Sequence, residues 1–157
     1  MATTKIASEV FKIESPIQDV YSLLSDFNRI GLLVEMAKQM GMGRGEQFDQ
    51  FADKVEDTRF SEDVCFIKLK DMGEMAVRIV EKEHPKMIKL GGDGGVPFDF
   101  NLWIQLLENG PYDTRMKLTF QGELNMMMKM ILKGKLEKGI NQLGEGLSKI
   151  PYAMLRQ

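Results

Sequence analysis

The last thirty or so residues carry the pattern that most restricts the fold. From about Asn125 onward, apolar residues recur at steps of three or four, which predicts one long helix with a single apolar stripe. The stripe consists of Leu132, Leu136, Ile140, Leu143, Leu147, Ile150 and Met154. A helix of this kind must bury its stripe against other elements, so the preceding chain has to supply a matching apolar surface.

The chain between Glu56 and Gln121 supplies that surface, because its apolar residues alternate with polar ones as in half-buried strands. Turn-forming segments separate the runs, and such short connections predict that successive strands are antiparallel neighbours. The inward-facing positions are Cys65, Ile67, Leu69, Met75, Val77, Ile79, Phe98, Phe100, Leu102, Ile104, Leu106, Met116, Leu118 and Phe120.

Residues 5–14 predict a first strand whose inward face is ambiguous. Ile6 and Val10 fall on one parity, whereas Phe11 and Ile13 fall on the other. A regular strand would bury only one of these pairs, because successive side chains point to opposite faces.

Two short helices are predicted after this strand. The segment 15–18 supplies a capping serine, a proline for the first helical position and a glutamine for a capping box. A second helical pattern covers residues 30–40 and ends at the glycine-rich segment 41–45. Residues 46–55 fit a short helix, a loop or the lead-in to a strand equally well.

This order of elements predicts an α+β fold in which a curved, seven-stranded antiparallel sheet folds around the long C-terminal helix. One helix covers the apolar face only if the sheet curls, and the two short helices close one end. With 13 methionines among 157 residues, the interior is either plugged by flexible side chains or shaped to accept a ligand. The length predicts one domain, residues 1–157.

The charge of the chain argues against nucleic-acid binding and shows one local contrast. The net charge is −2 at pH 7, whereas nucleic-acid binding needs a basic surface. Residues 125–157 carry six Lys or Arg against two Glu, so this segment is basic and the rest of the chain is acidic. A solvated helix face explains the contrast, and so does a docking strip for an acidic partner or a membrane surface.

Composition also predicts a cytoplasmic location. The single cysteine excludes an intrachain disulfide, and residues 1–10 lack the apolar core of a secretion signal. No apolar stretch approaches the roughly 20 residues that a transmembrane helix needs.

Motifs for nucleophilic, metal or phosphate chemistry are weak. The chain has one cysteine, Cys65, and one histidine, His84. Cys65 alternates with apolar strand residues, so a core thiol is predicted. His84 precedes a proline at a turn, so a surface histidine is predicted. No zinc or calcium spacing is present, so no metal, cofactor or catalytic residue is assigned. The glycine-rich segments 41–45 and 91–95 lack the strand–loop–helix context of a phosphate loop and are predicted to be turns at the cavity mouth.

Several polar residues on the predicted strands fall on the outward parity. They include Lys68, Arg78, Asp99 and Asn101, and only a register slip of one residue would turn them toward the interior. Trp103 shares this parity, where it would either pack beneath the N-terminal helices or contact a partner.

Three stretches, residues 11–26, 79–88 and 113–120, are similar to strings of the START-like (SRPBCC) superfamily, which includes the birch-pollen-allergen-like proteins and the polyketide cyclase/dehydrase group. The first resembles that family's first strand, proline turn and first helix, with Tyr21 where an aromatic residue is usual. The resemblance implies a helix-grip fold and binding of lipids, sterols, polyketides, quinones or plant hormones. Residues 40–55 depart from the family pattern.

The sequence therefore predicts a binding protein that holds a small hydrophobic ligand (a lipid, polyketide or related molecule) in an internal cavity without catalysis. The predicted ligand-binding residues are Ile67, Leu69, Val77, Ile79, Phe98, Phe100, Leu102, Ile104, Met116, Leu118, Phe120, Leu136, Ile140 and Leu143. Two alternatives stay open. One is a cyclase- or dehydratase-like enzyme, which needs two titratable groups in the cavity; the other is a protein-interaction module that uses the C-terminal helix. The oligomeric state is left open.

Overall fold

In the computed structural model, strands from both ends of the chain meet in one antiparallel sheet. The structure describes residues 2–40, 55–69, 73–95, 98–150 and 152. The strands are β1 (Ala2–Ala7), β2 (Phe11–Ile13), β3 (Val55–Phe60), β4 (Val64–Leu69), β5 (Gly73–Glu83), β6 (Met87–Gly92), β7 (Phe100–Gly110) and β8 (Asp113–Leu124). The described helices are α1 (Ile17–Leu24), α2 (Phe27–Met40) and α3 (Met126–Ser148).

The strand order is β1-β8-β7-β6-β5-β4-β3, and β2 also pairs with β8. Consecutive strands from β3 to β8 are neighbours, as their short connections predict. Register shifts interrupt the β3–β4, β5–β6 and β7–β8 pairs, and irregularities of this kind bend and twist a sheet. The predicted helix-grip architecture is confirmed, with eight strands because the predicted first strand is two.

A one-residue bulge between β1 and β2 removes the ambiguity of the first strand. Ala7 pairs with Thr119 and Phe11 with Met116, so four residue steps from β1 to β2 match only three residue steps along β8. At the break, the backbone N–H of Leu118 donates to the Ser8 hydroxyl at 2.9 Å, and the Ser8 N–H donates to the Leu118 carbonyl at 2.8 Å. The extra residue shifts the parity, so isoleucines of opposite parity in β1 and β2 are both buried.

The prediction that Ser15 caps the N-terminus of α1 is wrong. Pro16 occupies the N-cap position, and no side chain caps the helix. Ser15 is instead buried against β8, where its carbonyl accepts a hydrogen bond of 2.8 Å from the Thr114 hydroxyl. The second helix also begins earlier than predicted, at Phe27.

The helix α3 begins where the sequence predicts, with Asn125 accepting a hydrogen bond from the Met128 N–H at 2.8 Å. Its principal contacts are with β8, β1 and β2 at one side of the sheet. Its buried residues are Ile140 and Gly144, both in the second half. No helix among the described residues is long and apolar enough to cross a membrane.

The glycines of α3 have different surroundings. A Cβ built on Gly144 would lie 2.2 Å from Cε2 of Phe11, so this position needs glycine for close approach. A Cβ on Gly134 or Gly139 would meet nothing within 4 Å. Tertiary packing therefore explains only one of these three glycines.

We expect Gly144→Ala and Gly139→Ala to change stability in opposite directions. The first forces the Phe11 ring away and should lower the free energy of unfolding by about 1–3 kcal/mol. The second adds helix propensity in open space and should raise it by about 1 kcal/mol. Urea unfolding followed by circular dichroism measures both, and destabilisation by both substitutions would contradict this account of the packing.

Candidate functional site

On β6 and β7, burial of the sheet's inner face decreases from one end of the strands to the other. At one end Ile88, Met116 and Leu118 are completely buried. At the other end Phe100 and Leu102 are only partly buried. The space between the sheet and α3 thus has a closed end and an open end.

The strand register shows that this change follows rows across the sheet. Ile88, Ile104 and Leu118 form a paired row at the closed end. At the open end, Phe100 pairs with Gly122 in β8, and the neighbouring β5–β6 pair joins Val77 to Gly92. Because glycine has no side chain, these rows leave space on the inner face.

Aromatic rings lie in the space that the two glycines leave. A Cβ on Gly92 would lie 2.8 Å from the Phe100 ring, and one on Gly122 would lie 2.7 Å from the Phe120 ring. The two rings are stacked, with centroids 5.8 Å apart, and Phe98 meets each of them edge-on. The three phenylalanines form an apolar wall at the open end.

Most of the predicted contact residues lie on this interior. Ile79, Ile104, Met116, Leu118, Phe120 and Ile140 are buried in its core, and Ile67, Val77, Phe98, Phe100, Leu102 and Leu136 are partly buried against it. Leu69 belongs to β4, but its side chain is outside the described part of the structure.

Leu143 is the exception and corrects the predicted stripe. Its side chain is 44% exposed and is not among the residues packed on the core. The helix instead presents Ile140, Gly144 and Leu147, because steps of four and three from Ile140 follow its line of contact. The glycines of the stripe suggest a close backbone approach or spare volume, but sequence reasoning did not single out Gly144 among them, because an apolar stripe contains no signal for which position must lack a side chain.

Polar groups are scarce in this interior. The buried polar residues of the described ranges are Thr4, Ser8, Ser15, Thr114 and Thr119, with no carboxylate, lysine or histidine among them. Among the residues that the structure describes, the Thr4 hydroxyl has no hydrogen-bond partner. Thr4 pairs with Gly122, which places it at the open end beside the phenylalanine wall.

Cys65 and His84 do not form a reactive pair. Cys65 is buried and pairs with Val77 of β5. His84 is exposed and lies in the turn after β5, seven residues beyond Val77, so Cys65 and His84 are roughly 20 Å apart. Burial raises the pKa of the Cys65 thiol to about 11, and the His84 ring contacts Tyr21 edge-on at 4.8 Å. The prediction of a core thiol and a surface histidine is confirmed.

The outward parity of the polar strand residues is also observed. Asp99, Asn101 and Trp103 line a depression of about 520 Å³, and Phe98 and Phe100 of the phenylalanine wall line the same depression. Trp103 lies beneath Lys89, whose Nζ is 5.2 Å from the ring centroid, and not beneath the N-terminal helices. No register slip brings acid–base groups into the interior, and within the described ranges no three His, Cys, Asp or Glu residues group as metal ligands.

Comparison with solved structures identifies the architecture. Norcoclaurine synthase from Thalictrum flavum superposes with a TM-score of 0.66 over 94% of this chain and 86% of its own, at 12% identity. A START superfamily protein from Mycobacterium smegmatis gives 0.57 over 92% and 94%, also at 12% identity. The chain has the START-like helix-grip fold. A protein from Thermobifida fusca superposes over all of this chain and 97% of its own, with a TM-score of 0.59 and 15% identity.

No protein-family model matches this sequence. No curated protein matches it either. At identities of 12–15% the solved structures establish the START-like fold, and the residues of the site carry any argument about function.

Thr4→Val should stabilise the protein, because a buried hydroxyl without a partner costs about 1–3 kcal/mol. Thr114→Val is the matched control. It removes the 2.8 Å hydrogen bond to the Ser15 carbonyl and should lower the free energy of unfolding by about 1 kcal/mol. Chemical unfolding compares the two, and equal destabilisation would show that the Thr4 hydroxyl is already satisfied.

The reactivity of Cys65 should depend on pH as its raised pKa requires. Because the thiolate is the reactive form and the pKa is about 11, alkylation of the folded protein should accelerate about tenfold per pH unit from pH 8 to 10 without levelling off. In urea, where the thiol is exposed, the rate should level off near its ordinary pKa of about 8.5. Mass-spectrometric timing of iodoacetamide labelling measures both profiles, and a plateau below pH 9 in the folded protein would contradict the prediction.

Proposed function

We propose that this chain binds a small, predominantly apolar molecule, a lipid, polyketide or related compound, at the open end of its interior. The observation that carries the proposal is the partly buried apolar surface of the inner face, formed by Ile67, Val77, Phe98, Phe100, Leu102 and Leu136. Covering such surface with a ligand is favourable by about 25 cal/mol per Å² of apolar area removed from water.

The contacts of α3 support an opening on this side. The helix packs chiefly on β8, β1 and β2, and its first half has no buried residue. A ligand between the helix and the phenylalanine wall would fill volume that the described side chains leave free.

Thr4 supports one polar contact in an otherwise apolar site. Its hydroxyl is buried, lacks a partner and lies in the row of Gly122 and Phe100. Apolar pockets commonly orient their ligands with a few placed polar groups. A ligand with one hydroxyl or carbonyl group would satisfy this hydroxyl.

The chemistry of the interior favours binding over catalysis. A cyclase- or dehydratase-like reaction needs convergent acid and base groups. The buried polar side chains of the described ranges are serines, threonines and two tyrosines, Tyr21 and Tyr152, and burial raises the pKa of both tyrosines. The Cys65 thiol stays protonated near neutral pH because burial raises its pKa. One structure of norcoclaurine synthase contains dopamine and hydroxybenzaldehyde, which supports small-molecule binding by this fold, with or without catalysis.

Leu102→Trp should block the site, because it adds a large side chain to the partly buried inner face of β7. We expect at least a tenfold loss of affinity for the apolar dye anilinonaphthalene sulfonate, measured by fluorescence titration. Leu107→Trp is the matched control on the outer side of the same strand, where Leu107 is 66% exposed, and it should leave the affinity unchanged.

Organic extraction of purified protein, followed by mass analysis, tests the proposal for an apolar ligand of any identity. A co-purified apolar compound that is absent from the Leu102→Trp protein would support the site. Bare protein together with no dye binding, or equal dye binding by both tryptophan variants, would refute it.

A further inference from the structure

The first half of α3 carries an exposed apolar surface. Met126, Met127, Met130 and Ile131 are 81%, 71%, 81% and 57% exposed. These four residues, here called the methionine patch, lie within two turns of the helix. Exposed apolar clusters of this kind mark sites of interaction with proteins or membranes.

The methionine patch is distinct from the surface that faces the ligand site. At about 100° per residue, its four side chains span an arc of about 140°. Leu132 and Leu136 lie on the other side of the helix and are partly buried. Met127, Met130 and Ile131 therefore lie apart from the side of the helix that Leu132 and Leu136 occupy.

Lysines surround the patch. Lys129, Lys133, Lys135 and Lys138 are all exposed, and only Glu137 opposes them in this stretch, so residues 126–138 carry a charge of +3. By helical position, Lys133 borders one edge of the methionine patch and Lys135 the other. The whole chain carries −2, so the positive charge is concentrated beside the apolar surface.

This combination decides between possible partners. A second copy of the chain placed symmetrically on the patch would bring lysines against lysines, which is unfavourable. The patch lies on the convex outside of a helix, a shape that suits a flat surface better than a groove. Methionine side chains adapt to disordered acyl chains, and lysine stems extend along apolar surface to reach anionic headgroups.

We propose that the methionine patch and its lysines dock the protein on the surface of a membrane that contains anionic lipids. The helix lies in the plane of the interface, the four apolar side chains enter the boundary between headgroups and acyl chains, and the lysines contact lipid phosphates. This docking does not depend on the proposed ligand site.

Vesicle co-sedimentation of the full chain tests the proposal, with phosphatidylcholine vesicles compared with equimolar phosphatidylcholine and phosphatidylglycerol. We expect binding to the anionic vesicles at least tenfold tighter than to the neutral ones. It should weaken as salt rises from about 0.01 M to about 1 M, where the screening length falls from roughly 30 Å to 3 Å. Equal binding to both vesicles, or binding to neither, would overturn the proposal.

Paired variants separate the apolar and charged contributions. Met127→Ser with Ile131→Ser should reduce binding to anionic vesicles at least tenfold, whereas Val10→Ser with Leu107→Ser, at other exposed positions, should not. Lys133→Gln with Lys135→Gln should reduce it by about 25-fold, since each lysine near such a surface contributes about fivefold.

Lys5→Gln with Lys117→Gln is the charge control at exposed sites on the sheet. All four double variants change exposed residues, so unchanged circular dichroism and melting temperatures verify folding. Equal losses in the control and test pairs would refute a localised docking surface. Retention of the protein on polyglutamate without vesicle binding would instead identify an acidic protein partner and overturn the membrane proposal.

Discussion

The pairing of β8 with β1, β2 and β7 is the interaction on which the rest of the structure depends. This strand joins the N-terminal strands to the hairpin series and then leads directly into α3. The bulge at Ser8 lets both β1 and β2 bury an isoleucine on the inner face, and it places Phe11 where its ring meets Gly144. That contact positions the second half of the helix against the sheet.

Because α3 is held mainly by its second half, the interior differs along its length. At the closed end, packed isoleucine, leucine and methionine side chains leave no apolar surface exposed. At the open end, Gly92 and Gly122 allow the rings of Phe100 and Phe120 to lie against the sheet, and the surface beyond them is partly uncovered. The same physical effect, burial of apolar area, thus stabilises the fold at one end and favours a ligand at the other.

The first half of α3 has two surfaces with different environments. Leu136 is partly buried against the core, while the methionine patch is exposed to solvent among lysines. A helix with apolar residues on both sides is not explained by packing on one sheet alone. The outer surface has a proposed partner of its own, and the inner surface contributes to the proposed ligand site.

Local periodicity, together with the resemblance to START-like strings, was enough to predict the fold of this protein. Alternation with a period of two residues marks the strands, and apolar steps of three or four residues mark the helices. Short turns make consecutive strands neighbours, so the helix-grip order follows from the sequence alone. Most of the predicted contact residues lie on the interior for the same reason. Tertiary structure decided what periodicity does not encode. The parity of the first strand changes at a bulge whose geometry depends on β8. Gly144 replaces Leu143 at the contact because Phe11 comes within reach only in the folded chain. The difference between the open and closed ends arises from the spacing of packed elements, which is a property of the assembled layers and not of any one segment.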